Sequence, residues 1–167
     1  MKNLLLAIAV FWGLYTINAQ ENKIEIKGKT NINTFTCVNE AFADDNTKFT
    51  INNGHLPYLQ LEVDDFDCKH KPMTKDFRKT LRADLYPNLE IKFLKISKTH
   101  NGQIAQVQVE MMKKTKIYQI SFTTEHNKLV GRKQVAFSDF GIAPPKKMGG
   151  TIVVKDTLDL LFSLVLK

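Results

Sequence analysis

From residue 24 onward apolar side chains recur at every second position, a period that a helix cannot satisfy and that a half-buried strand requires. Ile24 and Ile26 alternate with charged neighbours, and Phe35 and Cys37 continue an extended stretch. Phe49 and Ile51 precede the turn signal Asn52-Asn53-Gly54. Leu59, Leu61 and Val63 share one face, as do Leu89, Ile91 and Phe93, Val107, Val109 and Met111, and Tyr118, Ile120 and Phe122. A strand from Leu129 to Phe137, the pair Ile152 and Val154, and the run Leu158, Leu160, Phe162, Leu164 and Leu166 complete the chain. About eight short strands at regular spacing, turned by His100-Asn101-Gly102 and His126-Asn127, predict an antiparallel sandwich or barrel.

One segment breaks the period. Between Pro72 and Pro87, Met73, Phe77 and Leu81 recur at four-residue intervals, which predicts a helix of two to three turns packed against one end of the sheet. Thr74 is the expected cap, Asp76 suits the first turn, and Pro87 forbids continuation. No repeat or linker interrupts the remainder, so a single domain is expected at residues 20–167.

Residues 1–19 read as a signal peptide. Met1-Lys2-Asn3 is a short basic start, Leu4 to Ile17 is apolar, and Ala19 precedes the polar Gln20-Glu21-Asn22, so cleavage is expected near Ala19. The apolar run of about 14 residues is shorter than the ~20 that cross a bilayer. A periplasmic or secreted destination would expose Cys37 and Cys68 to oxidant, where a pair this close in sequence favours a bridge over two buried thiols.

Chemistry-bearing motifs are scarce. His55, His70, His100 and His126 sit in or beside predicted turns without paired metal-ligand spacing, and no nucleophile motif such as G-x-S-x-G occurs. Asp64, Asp65 and Asp67 lack the glycine and terminal glutamate of a calcium loop. No metal, cofactor or catalytic residue is therefore expected. Basic residues outnumber acidic ones 24 to 17, clustered at Lys69-His70-Lys71, Lys113-Lys114-Thr115-Lys116, Arg132-Lys133 and Lys146-Lys147. Export makes nucleic acid a poor partner, which leaves a solvated surface or attraction to anionic headgroups, a membrane surface included.

The assembled segments resemble the YceI-like family of bacterial lipid- and polyisoprenoid-binding proteins. Gly28-Lys29-Thr30-Asn31-Ile32-Asn33-Thr34-Phe35 is similar to that family's opening strand. Met73-Thr74-Lys75-Asp76-Phe77 with Tyr86-Pro87-Asn88-Leu89-Glu90-Ile91-Lys92-Phe93 is similar to its M-x-x-D helix and following strand. Ser138-Asp139-Phe140-Gly141-Ile142, then Pro144-Pro145, Gly150 and Val154-Lys155-Asp156, is similar to its C-terminal elements. Met111-Met112-Lys113-Lys114-Thr115-Lys116 departs from the glycine-containing turn that many members carry there.

The resemblance implies an eight-stranded antiparallel lipocalin-like barrel with one short helix, holding a lipid or isoprenoid amphiphile without catalysis. In such a barrel alternate residues face inward. The candidate ligand-binding residues are then Phe35, Leu59, Leu61, Val63, Leu89, Ile91, Phe93, Val107, Val109, Met111, Tyr118, Ile120, Phe122, Phe137, Phe140, Leu160 and Phe162. The alternative is a packed barrel acting through its loops as a secreted interaction or stress module.

Overall fold

The computed structural model describes residues 22–44 and 56–166. The expected strand at Phe49 and Ile51, the turn at Asn52-Asn53-Gly54 and the signal peptide at residues 1–19 lie outside the described residues. Along the described chain run β1 Lys23–Thr30, β2 Thr34–Asn39, β3 Tyr58–Glu62, helix α1 Lys71–Thr80, β4 Asn88–Thr99, β5 Gly102–Met111, β6 Lys114–Glu125, β7 Lys128–Ala136, the two-residue β8 Lys146–Lys147 and β9 Ile152–Val165. Eight strands form one antiparallel sheet in the order β2-β1-β9-β7-β6-β5-β4-β3, with β8 beside β9. The sheet curls into a half-barrel whose concave face is the core, in accord with the all-β barrel expectation. Among the described residues no helix is long and apolar enough to cross a membrane.

Alternation accounts for which side chains point inward. Ile24 and Ile26 of β1, Leu59 and Leu61 of β3, Leu89, Ile91 and Phe93 of β4, and Leu158, Leu160, Phe162 and Leu164 of β9 are buried, while their odd-phase neighbours face outward. The phase slips once in β4, where a bulge between Phe93 and Lys95 moves the inward position to the half-buried Ile96. The last apolar stretch, read from sequence as two pieces, is the single long strand β9, paired with β1 on one side and β7 on the other.

β2 and β3 are the two edges of the sheet, and they meet at a seam rather than in a ladder. Val38 and Asp67 exchange backbone hydrogen bonds of 2.9 Å in both directions, and the Asn39 amide donates to the Glu62 carbonyl at 3.0 Å. A disulfide joins Cys37 to Cys68 across the same seam. An exposed strand edge is an aggregation hazard, and this arrangement covers part of that of β2 covalently.

Helix α1 closes one end of the half-barrel, where β1, β3, β5 and β7 finish and β2, β4, β6 and β9 begin. Its stripe is the expected one: Phe77 and Leu81 are buried, Met73 packs against the core, and the Phe77 ring lies 5.3 Å from that of Phe66. Three details differ from expectation. His70, not Thr74, occupies the cap position, and it makes no side-chain cap. Pro72 fills the first turn, where its missing N–H costs nothing, so the helix begins earlier and Asp76 falls beyond the first turn. The Thr74 hydroxyl instead accepts the Cys68 N–H at 3.0 Å, which ties the helix to the seam. At the other end the helix stops at Thr80, because Arg82 turns into the left-handed region at φ 51°, well before Pro87.

Candidate functional site

The helix end is assembled from three connections that rigid local bonding holds in place. In the β1–β2 turn, Thr30 Oγ1 accepts the N–H groups of Ile32 and Asn33 at 3.1 and 2.9 Å. Asn31 staples that turn to the start of β9: its side chain donates to the Thr151 carbonyl at 2.9 Å and accepts the Val153 N–H at 3.0 Å. The segment Phe137–Phe140 forms a 3-10 turn that buries Phe137 and Phe140. Ser138 anchors it by donating both its N–H (2.9 Å) and its hydroxyl (2.5 Å) to Asp156, and Gly141 ends it at φ 69°, a conformation that suits glycine.

Tyr118 braces the same turn. Its hydroxyl donates to Asp139 Oδ2 at 2.8 Å, the same oxygen that accepts the Ala136 N–H at 3.2 Å. Burial, reinforced by that bond to a carboxylate, pushes the phenol far above its ordinary 10.0. A phenol whose pKa is raised on folding favours the protonated native state. Its contribution to stability is complete below the unfolded pKa and disappears as pH rises from about 10 toward the folded value. Chemical denaturation between pH 9 and 11 is expected to show a steeper alkaline loss in the wild type than in Tyr118→Phe. Equal slopes would mean that folding does not raise the Tyr118 pKa.

Beneath α1 lies an apolar pocket of about 150 Å³. Its wall is Phe35 from β2, Met73 and Phe77 from α1, Phe137, Pro145, and Ile152 and Val154 from β9, with Thr30, Asn33, Thr80, Asp76 and Lys147 at polar positions. Lys147 Nζ sits 2.6 Å from Asp76 Oδ1, so an ion pair links the helix to β8. On its far side opens a groove of about 490 Å³ bordered by Lys79, Arg82, Met112, Lys146 and Lys147. The pocket and the groove share Asp76, Thr80, Pro145 and Lys147, so the ion pair stands between an apolar chamber and a basic cleft. A larger groove of about 1030 Å³ runs over β1 and β2; it shares Asn33, Phe35 and Met73 with the pocket, and its other walls include the outward-facing Lys23, Glu25 and Lys27.

Of the residues expected to line a cavity, Phe35 and Phe137 border this pocket. Val63, Met111 and Phe140 are buried at the same end, and Tyr118 is half-buried there. Leu59, Leu61, Leu89, Ile91, Phe93, Val107, Val109, Ile120, Phe122, Leu160 and Phe162 all face inward and are buried, yet they pack on one another deeper in the half-barrel. Phe122 lies 5.6 Å from Phe93 and 5.4 Å from Phe162, so these three rings fill the middle. Met73, Asp76, Lys147, Ile152 and Val154 were not anticipated as lining. The sequence carries them as the Met73 helix stripe, the aspartate of the M-x-x-D motif, the Lys146-Lys147 cluster and the Ile152 and Val154 alternation, and none of these patterns says that they meet around a pocket. Among the described residues no group of three or more His, Cys, Asp and Glu is placed to hold a metal ion.

No family model and no curated protein matches the sequence. Solved structures do match in shape. BcnA of Burkholderia cenocepacia superposes over 87% of this chain and 96% of its own with a TM-score of 0.60 at 12% identity. A YceI protein of Campylobacter jejuni covers 66% of this chain and 70% of its own with a TM-score of 0.52 at 10% identity. A polyisoprenoid-binding domain from Saccharophagus degradans covers 87% and 94%, with a TM-score of 0.48 at 7% identity. The likeness is one of architecture, and the fold of this chain is that of the YceI-like barrels.

Proposed function

We propose that the protein is exported and binds a lipid or isoprenoid amphiphile without catalysis, with the apolar chain entering beneath α1. The observation that carries this reading is the contiguity of the apolar pocket and the basic groove across the Asp76–Lys147 ion pair. A hydrocarbon tail gains about 25 cal/mol for each Å² it buries, while a polar or anionic head finds lysines at the rim. The ligand class agrees with the one implied by the motif resemblance.

The pocket holds only the tip of such a chain, since sites for whole small molecules run from about 300 to 1,000 Å³. A longer tail requires α1 to lift. The Asp76–Lys147 pair is a weak restraint, because both side chains are about 40% exposed and such pairs contribute ~1 kcal/mol or less. The packed Phe93, Phe122 and Phe162 cluster favours a second reading, in which the half-barrel is filled and works through its loops.

Native mass spectrometry of protein purified without detergent separates the two. A bound chain appears as an adduct of several hundred daltons. Val154→Phe, which fills the pocket from β9, is expected to abolish the adduct while leaving the melting temperature within a few degrees, because it occupies existing space. A wild type without adduct, together with a Val154→Phe variant that melts much earlier, would replace the binding reading with the filled one.

A further inference from the structure

We infer that the helix end of the half-barrel is a docking surface for an anionic lipid bilayer, with Ile32 and Met148 as the two residues that enter the membrane. Ile32, at the tip of the β1–β2 turn, is 66% exposed, and Met148, in the turn between β8 and β9, is 76% exposed. The two tips are side by side because Asn31 bonds to Thr151 and Val153, which tie one turn to the other. The Met148 tip is not set by local convenience. Met148 holds φ 51°, a conformation that a side chain disfavours, and the following Gly149 and Gly150 continue at φ 65° and 95°. A large apolar residue kept both strained and wet calls for an apolar partner.

The charges around the tips select the kind of partner. Lys29, Lys146 and Lys155 are exposed beside them, and among the described residues no ion pair engages any of the three. The nearby carboxylates are already committed, Asp76 to Lys147 and Asp156 to Ser138. Two apolar tips within a ring of lysines match the boundary between acyl chains and anionic headgroups. The pocket mouth opens at the same place: Asn33 and Lys147, which border it, are the chain neighbours of Ile32 and Met148. An amphiphile leaving the bilayer would reach the pocket without crossing water, so the surface extends the binding reading, although its test needs no bound ligand.

The test uses the chain from Gln20 onward, the form expected after cleavage near Ala19; it lacks Trp12, so that one introduced tryptophan is the only one present. Ile32→Trp reports the proposed surface, Met148→Trp checks it independently, and Lys98→Trp reports the opposite end of the half-barrel. Vesicles of equal parts phosphatidylcholine and phosphatidylglycerol, with bromine in the acyl chains of the former, quench tryptophan that enters the hydrocarbon. The expected result is quenching at positions 32 and 148 at least severalfold stronger than at 98. It should fall about tenfold or more when phosphatidylglycerol is replaced by phosphatidylcholine or when Lys146→Glu and Lys155→Glu are added. Absence of quenching at 32 and 148, equal quenching at 98, or indifference to lipid charge would each overturn the proposal. Loss of the mass-spectrometric adduct would bear on the binding reading alone.

Discussion

Removal of the Cys37–Cys68 disulfide, by reduction or by paired alanine substitution, is expected to lower the stability of the native state by about 3–4 kcal/mol. The bridge closes a loop with a sequence separation of 31, and the chain-entropy model assigns a closure of that length this magnitude. The position of the bridge adds a structural reason. It spans the seam between the edge strand β2 and the segment after β3, where, among the described residues, one pair of backbone bonds and the Asn39 amide also join the two edges. Both cysteines are buried, and α1 begins three residues beyond Cys68, so opening the seam also loosens the helix that roofs the pocket. For a domain of this size the loss corresponds to a melting temperature lower by roughly 10 °C. Thermal denaturation with and without a phosphine reductant measures it, and a shift below ~2 °C with complete reduction would show that the backbone contacts alone hold the seam.

The strand faces were legible in the sequence because parity alone decides them. Leu89, Ile91 and Phe93, or Leu158, Leu160 and Phe162, have only one way to bury together on a pleated sheet. The stripe of Met73, Phe77 and Leu81 was legible for the same reason at the helical period. The helix boundaries were less so. Thr74 has the right chemistry for a cap, but His70 takes that position because Pro72 suits the first turn, and the Thr74 hydroxyl is drawn to the Cys68 N–H instead. The candidate site was hardly legible at all. Parity states that a residue faces inward, not whether the space in front of it is filled. Phe122 and Phe35 have the same inward phase, yet one fills the middle and the other borders a pocket. The difference comes from a third element, α1, and from the Pro145 and Lys147 side chains opposite it, whose approach depends on long-range packing.

Phe162→Ala should cost about 3–5 kcal/mol, the range for truncating a buried phenylalanine in a core that cannot collapse around the gap. Phe162 is 1% exposed, and its ring meets Phe122 at 5.4 Å and Phe93 at 6.3 Å, both nearly edge-to-face. Gly131 of β7 lies between them in register, opposite Phe122 of β6 on one side and Phe162 of β9 on the other. A β-carbon on that glycine would fall 2.4 Å from the Phe122 ring, so the ring lies directly across the glycine backbone. Strands on three sides therefore shape the space for these rings, and neighbouring side chains have little freedom to move into a void left by one of them. Truncating Val154 at the pocket wall removes a half-buried side chain beside space that already exists, so its cost is expected to be smaller by at least ~2 kcal/mol. Urea denaturation of the two variants compares them directly. Similar small losses would mean that the middle of the half-barrel is as loosely filled as its helix end, and the site for an apolar chain would then extend inward past Phe137 to the three rings. A large loss for Phe162→Ala and a small one for Val154→Ala would confine that site to the end roofed by α1, where the ion pair and the lysines stand.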